Sequence, residues 1–134
     1  MGTKERREKE RELRRILILK SAKKLFFEHG FAATSMAQIA REAELSKGAL
    51  YLYFKDKSEL YISLLVEGME ILNNAFLESV KELDGWEEKV KALGWAYYRY
   101  AMEYQQYFHI NFLFQHGEIT KNISDALYEQ CFDE

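Results

Sequence analysis

Between residues 46 and 57 the chain reads Ser-Lys-Gly-Ala-Leu-Tyr-Leu-Tyr-Phe-Lys-Asp-Lys, with lysines and tyrosines set around a glycine and an alanine. Lysine ammonium groups reach phosphates or a guanine edge, and tyrosine hydroxyls donate to phosphates. Gly48 and Ala49 have almost no side chain, so backbone and Cβ can lie against base edges and thymine methyl groups. Taken singly, each lysine is as readily a solvated charge and each tyrosine a half-buried core residue; taken together they can bind the major groove of DNA. The rest of the chain offers no paired nucleophile and base and no phosphate loop. Its single cysteine, Cys131, is too little for an intramolecular disulfide or a zinc site built on thiolates. His109 and His116 could share a helix face, with Glu103 or Glu118 as a further metal ligand, but Gly117 interrupts that stretch and no third ligand is fixed. The expectation is a protein that is not an enzyme and holds no cofactor and no metal.

A groove-binding surface needs a rigid element to present it. Proline is absent, strand-like alternation is hard to find and apolar residues recur at three and four, so the chain reads as all-α. A first helix is predicted from Glu5 or Glu10 to Glu28 or His29, with Ile18, Ala22, Leu25 and Phe26 facing inward. Gly30 supplies the left-handed position that ends it, and Phe31 folds back on its end. Thr34 is expected to cap a second helix over residues 34–43 by accepting from the NH of Met36 or Ala37, and Ser46 to cap a third in the same way. Ile39, Ala43, Leu45, Leu50 and Tyr53 would form the small core that fixes the angle between the two, with Ala40 at their close approach. That is a helix-turn-helix, whose outward face carries Lys47, Gly48, Ala49, Tyr51 and Leu52.

A fourth helix is predicted from Asp56 or Lys57 to about Leu83, where Asp84 and Gly85 interrupt it; the free NH groups at its start, near Lys55 and Lys57, would favour an anion. Beyond it run two apolar stripes, Trp86, Val90, Leu93, Tyr97, Ala101, Tyr104 and Phe108, and Trp95, Tyr98 and Met102. Two stripes predict a helix buried on much of its circumference, in the middle of a bundle with the fourth helix, a segment at 107–116 and a last one at 122–132. The division expected is a three-helix DNA-binding head at 1–54 and a helical effector and dimerisation bundle at 55–134.

Charge is divided in the same way. Residues 1–60 hold 14 Lys+Arg against 9 Asp+Glu, while residues 61–134 hold 5 against 13. A basic head can approach phosphates and an acidic body is repelled by them, which orients binding. The first residues, with Lys4, Arg6, Arg7, Lys9 and Arg11 interleaved with glutamates, read as a solvated extension of the first helix in preference to a dedicated phosphate or minor-groove arm. They are too charged for a secretory signal, and no segment approaches about 20 apolar residues of a membrane span. The expectation is a cytoplasmic protein with no membrane partner.

These residues resemble the TetR family of transcriptional regulators. The resemblance rests on Leu25-Phe26 with Gly30-Phe31, Thr34 with Ile39-Ala40, the run Ser46-Lys47-Gly48-Ala49-Leu50-Tyr51 with Tyr53-Phe54, and Lys57 with Glu59-Leu60, and it covers about residues 10–65. It implies DNA-contacting roles for Thr34, Lys47, Gly48, Ala49, Tyr51, Tyr53 and Lys57; Ser46 and Leu52 complete the candidate interface. Two residues depart from the pattern. Leu52 stands where relatives often carry a polar or aromatic base reader, and Glu44 stands where such turns usually place a left-handed glycine.

The same resemblance implies a carboxy-terminal domain that binds a small ligand and transmits strain through the fourth helix to the head. Fourteen of the 20 aromatic residues lie in 61–134, and flat apolar walls with polar tips suit a small organic molecule. Trp95, Tyr98, Met102, Phe108 and Phe112 are the candidate effector residues, although aromatics at this spacing are equally a plain core. The function expected is a repressor that binds a palindromic double-stranded DNA operator as a homodimer and is released by a small apolar or aromatic effector. Alternatives are a DNA-bound scaffold that recruits a protein, and a metal-responsive regulator. Relatives continue with two long helices that build the dimer interface, so the second domain reads as truncated at Glu134, the alternatives being a different mode of dimerisation or loss of the ordinary interface.

Overall fold

The computed structural model describes residues 2–113, and every regular element among them is helical. Helix α1 spans Thr3–His29 and buries Ile18, Ala22 and Phe26, one residue per turn along a single stripe. It ends at Gly30, whose φ of 83° is the left-handed value expected there, with the Gly30 NH on the Phe26 carbonyl at 2.8 Å. Helices α2 (Met36–Glu42), α3 (Lys47–Tyr51) and α4 (Lys57–Val80) follow, then α5 (Trp86–Glu103), α6 (Gln105–Phe108) and a π-helical turn at His109–Leu113.

The chain divides into two compact units, Met1–Leu64 and a second that begins at Leu65. The first unit thus runs past residue 54 into α4, for a packing reason. Phe26, Phe31 and Tyr61 form a trio of rings with centroids 5.1–5.9 Å apart, and Leu60 and Leu64 are fully buried with them. Without the first turns of α4 the end of α1 would leave its phenylalanines in water. Ile18, Ile39, Leu50 and Leu60, each 0% exposed, supply the apolar centre, at roughly 1.5–3 kcal/mol per side chain. Arg15 lies over Phe54 at 5.3 Å, and Lys24 pairs with Glu42 at 2.7 Å to join α1 to α2.

By length and composition α4 could cross a membrane, contrary to the expectation that no segment is apolar enough. Leu60, Tyr61, Leu64 and Leu72 are packed against protein, while most of the apolar stretch is not buried among the described residues.

In the second unit the inner face of α5 is not the predicted one. Its buried residues are Ala96 and Tyr100, whereas Trp86 is 74% exposed, Trp95 62% and Val90 61%. Tyrosine is buried at low cost only when its hydroxyl is satisfied, and α4 offers that partner: the Tyr100 hydroxyl donates to the Gly68 carbonyl at 3.0 Å and accepts from Asn111 Nδ2 at 3.1 Å. Gly68 leaves room for this approach, since a Cβ there would lie 2.3 Å from Asn111 Nδ2 and 2.8 Å from the Tyr107 ring. The α5 stripes predicted to be buried are largely exposed among the described residues. The predicted last helix and Cys131 lie outside those residues.

Candidate nucleic-acid interface

The turn between α2 and α3 is set by its backbone. Glu44 has φ 57°, the left-handed conformation expected from its place in the turn. Around it the Leu45 NH donates to the Ala40 carbonyl at 2.8 Å and the Glu44 NH to the Arg41 carbonyl at 3.1 Å. These are the paired bonds of a Schellman ending, which turns the chain sharply without leaving the carbonyls of α2 unsatisfied. Ser46 then caps α3 by accepting from the Ala49 NH at 3.1 Å. Leu50 faces inward at 0% exposure, so the remaining side chains of this short helix turn out to solvent.

Capping of α2 differs from the prediction by one residue. Ser35 is the cap, accepting from the Gln38 NH, while Gln38 Oε1 accepts from the Ser35 NH at 2.9 Å. This reciprocal pair was readable as Ser-x-x-Gln. Thr34 is 2% exposed; its hydroxyl lies 2.8 Å from the Gly30 carbonyl and 3.3 Å from that of Leu25. In this conformation the Thr34 hydroxyl, a predicted DNA contact, closes the loop after α1 and is turned away from solvent.

The other candidates divide into exposed and tethered groups. Ser46, Lys47, Gly48, Tyr51 and Leu52 are exposed, with Leu52 at 77%, and Ala49 and Tyr53 are half-buried. Lys47 Nζ stands 6.0 Å from the Tyr51 ring centre, so both polar tips lie on one side of α3. A Cβ on Gly48 would meet nothing within 4 Å, which leaves that backbone open to a close-lying surface. Lys57 is tethered: its ammonium donates to the Phe31 carbonyl at 2.7 Å and sits 4.2 Å from the Phe31 ring centre.

The start of α4 is also not an open anion site. Asp56 Oδ1 accepts from the Glu59 NH at 2.9 Å and Glu59 Oε2 from the Lys55 NH at 2.7 Å, so carboxylates of the chain already hold these donors. Arg11, read as part of a solvated extension, has its guanidinium 5.8 Å from the Tyr53 ring centre. The helical spacing of the arginines in α1 was the available signal for that approach.

The predicted effector residues do not converge. Trp95 and Tyr98 pair edge-to-face at 5.9 Å, both exposed, and Met102 is 53% exposed. Phe108 and Phe112 cluster with Tyr97 at 5.4–5.8 Å. Instead, a cleft of about 400 Å³ between α4 and α5 is walled by Ile71, Ala75, Ala96, Tyr100 and Tyr104, with Glu78, Arg99 and Glu103 among its lining. None of the five predicted residues lines it, because Tyr100 and its neighbours on α5 have taken the inward face. Among the described residues no cluster of three or more His, Cys, Asp or Glu could hold a metal ion; His116 and Glu118 fall outside them.

Residues 18–64 match the family model described as bacterial regulatory proteins, tetR family. That segment is a TetR-family helix-turn-helix head. Among TetR-family relatives the chain is 36% identical over 86 residues to the HTH-type transcriptional regulator HbdR of Aromatoleum sp. (strain CIB), covering 64% of this chain and 38% of that protein. In structure it is similar to a TetR family transcription regulator from Marinobacter aquaeolei VT8, with TM-score 0.70 and 24% identity over 92% of this chain and 63% of the other. It is also similar to the fatty acid degradation regulator FadR from Bacillus halodurans, with TM-score 0.66 and 25% identity over 85% of this chain and 60% of the other. The chain thus spans less than two thirds of the length of these TetR-family proteins. Both solved structures share its all-helical fold with a helix-turn-helix head.

Proposed function

We propose that this chain is the DNA-reading head and part of the sensing body of a transcriptional repressor. The observation that carries the proposal is α3: a Ser46-capped turn of helix that hides Leu50 and presents Lys47, Gly48, Ala49 and Tyr51 around an open glycine backbone. In a major groove about 12 Å wide, Gly48 and Ala49 lie against base edges. Leu52 adds apolar surface for thymine methyls. Lys47, Tyr51, Tyr53 and the Ser46 hydroxyl hold phosphates, and Lys57 stands beside them, tethered to the Phe31 carbonyl. The head at the amino terminus and the bundle beyond it are separate functional domains in this reading.

Two copies of the head in a homodimer would place their α3 helices about 34–36 Å apart on a palindromic operator. The proposed effector is a small apolar or aromatic molecule in the cleft between α4 and α5, whose volume falls in the usual ligand range of roughly 300–1,000 Å³. The name of the Bacillus halodurans relative makes a fatty-acyl molecule the first class to try. Such a ligand releases DNA to the extent that it prefers the non-binding form.

Selection of duplexes from a random pool by the protein tests the reading. Enrichment of an inverted repeat whose halves are centred about 10 base pairs apart, with release on titration of long-chain acyl compounds, is the expected result. Failure to enrich any sequence refutes operator recognition. Enrichment with no response to acyl or aromatic compounds refutes the effector.

A further inference from the structure

Three of the five arginines of helix α1 share one face. Arg7, Arg11 and Arg14 are spaced four and three apart, and Ile18 follows four residues later, so the four side chains share one stripe. Ile18 at the end of this stripe is fully buried in the first unit. The same stripe, carried toward the amino terminus, therefore stands beside the end of α3. There it forms a cleft of about 340 Å³ lined by Arg7, Glu10, Arg11, Arg14, Leu52 and Tyr53.

Three guanidinium groups share this cleft with one carboxylate. That carboxylate, Glu10, has its Oε1 4.0 Å from Arg6 Nε, which is not among the lining residues. Among the described residues no carboxylate oxygen lies within ion-pair distance of Arg7, Arg11 or Arg14. Arg11 is held over the Tyr53 ring, which orients its planar fork without neutralising it.

We infer that this cleft is a binding site for the sugar-phosphate backbone of the duplex that α3 reads. The inference rests on the proposed DNA reading and adds a second contact region to it. A rise of 1.5 Å per residue puts Arg7 and Arg14 about 10 Å apart along α1, the axial length of about three nucleotides of one strand. Bidentate guanidinium contacts suit phosphate oxygens, and Leu52 and Tyr53 belong both to this cleft and to the end of the groove-facing segment. The site recognises charge and spacing only, so it adds affinity equally to all sequences. Its net positive charge also exceeds what the interleaved glutamates of the α1 extension suggest, because those glutamates lie largely on other faces.

The test is the salt dependence of duplex binding by the whole chain and by an Arg7→Gln, Arg11→Gln, Arg14→Gln variant, on a selected duplex and on a random one. A Lys9→Gln, Lys20→Gln variant removes exposed cationic side chains outside the cleft and serves as the control. With two or three phosphates held, the log–log slope of the triple variant should be shallower by about 1.8–2.7, and affinity should fall by a similar factor on both duplexes. The triple Arg→Lys variant should recover most of the slope, which separates loss of charge from loss of helix. An unchanged slope in the triple Gln variant, with wild-type binding normal, overturns the cleft and leaves the α3 reading standing. A loss confined to the selected duplex also overturns it. Absence of duplex binding by the wild-type chain overturns both.

Discussion

Replacement of Glu44 by glycine should stabilise the head. Glu44 is exposed and its φ of 57° lies where a Cβ crowds the following carbonyl, at about 1–2 kcal/mol for an L-residue. Glycine removes that crowding but gains freedom in the unfolded chain, an opposing effect of about 0.5–1 kcal/mol. The net gain is about 0.5–1 kcal/mol, which in a cooperative unit of this size raises the melting temperature by about 2–8 °C. The two backbone bonds of the turn, from the NH groups of Glu44 and Leu45, do not involve the side chain and survive the change. Thermal melts followed by circular dichroism, with Glu44→Ala as the control that removes the carboxylate but keeps the Cβ, isolate the backbone term. Glu44→Gly melting at or below Glu44→Ala would refute the reasoning.

Other perturbations follow from the same geometry. Ser35→Ala, which breaks the reciprocal pair with Gln38, should cost about 1 kcal/mol in the same melts. Gly68→Ala forces a Cβ into Asn111 and Tyr107 and should destabilise the second unit by about 1–3 kcal/mol, visible as a loss of cooperative melting. Burial pushes the Tyr61 hydroxyl up to about 12 from an ordinary 10.0. The unfolded chain thus ionises first, and stability present below pH 10 should fall as pH rises toward 12. Tyr61→Phe should flatten that part of a pH–stability curve. Lys47→Ala should lower the salt slope of duplex binding by about 0.9, one phosphate contact.

The head was legible because its signals are local. Gly30 ends α1, Ser46 caps α3, and the left-handed turn falls on Glu44 despite the wrong residue type, since each is dictated by a few neighbouring backbone bonds. The one-residue error at Thr34 came from treating capping as a property of a single residue. The Ser35–Gln38 pair wins because it satisfies two NH groups at once, and the Thr34 hydroxyl is taken by a carbonyl that only the folded loop brings near.

The body was less legible. Helical spacing shows which residues share a stripe on α5 but not which stripe finds a partner. The choice of Tyr100 depends on a carbonyl and a missing Cβ at Gly68, thirty-two residues away in sequence. The tether of Lys57 to Phe31 is of the same kind, a contact between segments distant in the chain.

The central claim is that α3 enters a DNA groove through its bare glycine face. Gly48→Val tests it most directly, since a Cβ at that position meets nothing within 4 Å in the free protein and valine is no worse than glycine in a helix. Measured on a duplex selected by the wild-type chain, the variant should melt as the wild type does and lose sequence-specific binding. Retention of wild-type affinity and selectivity by a folded Gly48→Val protein would contradict the account.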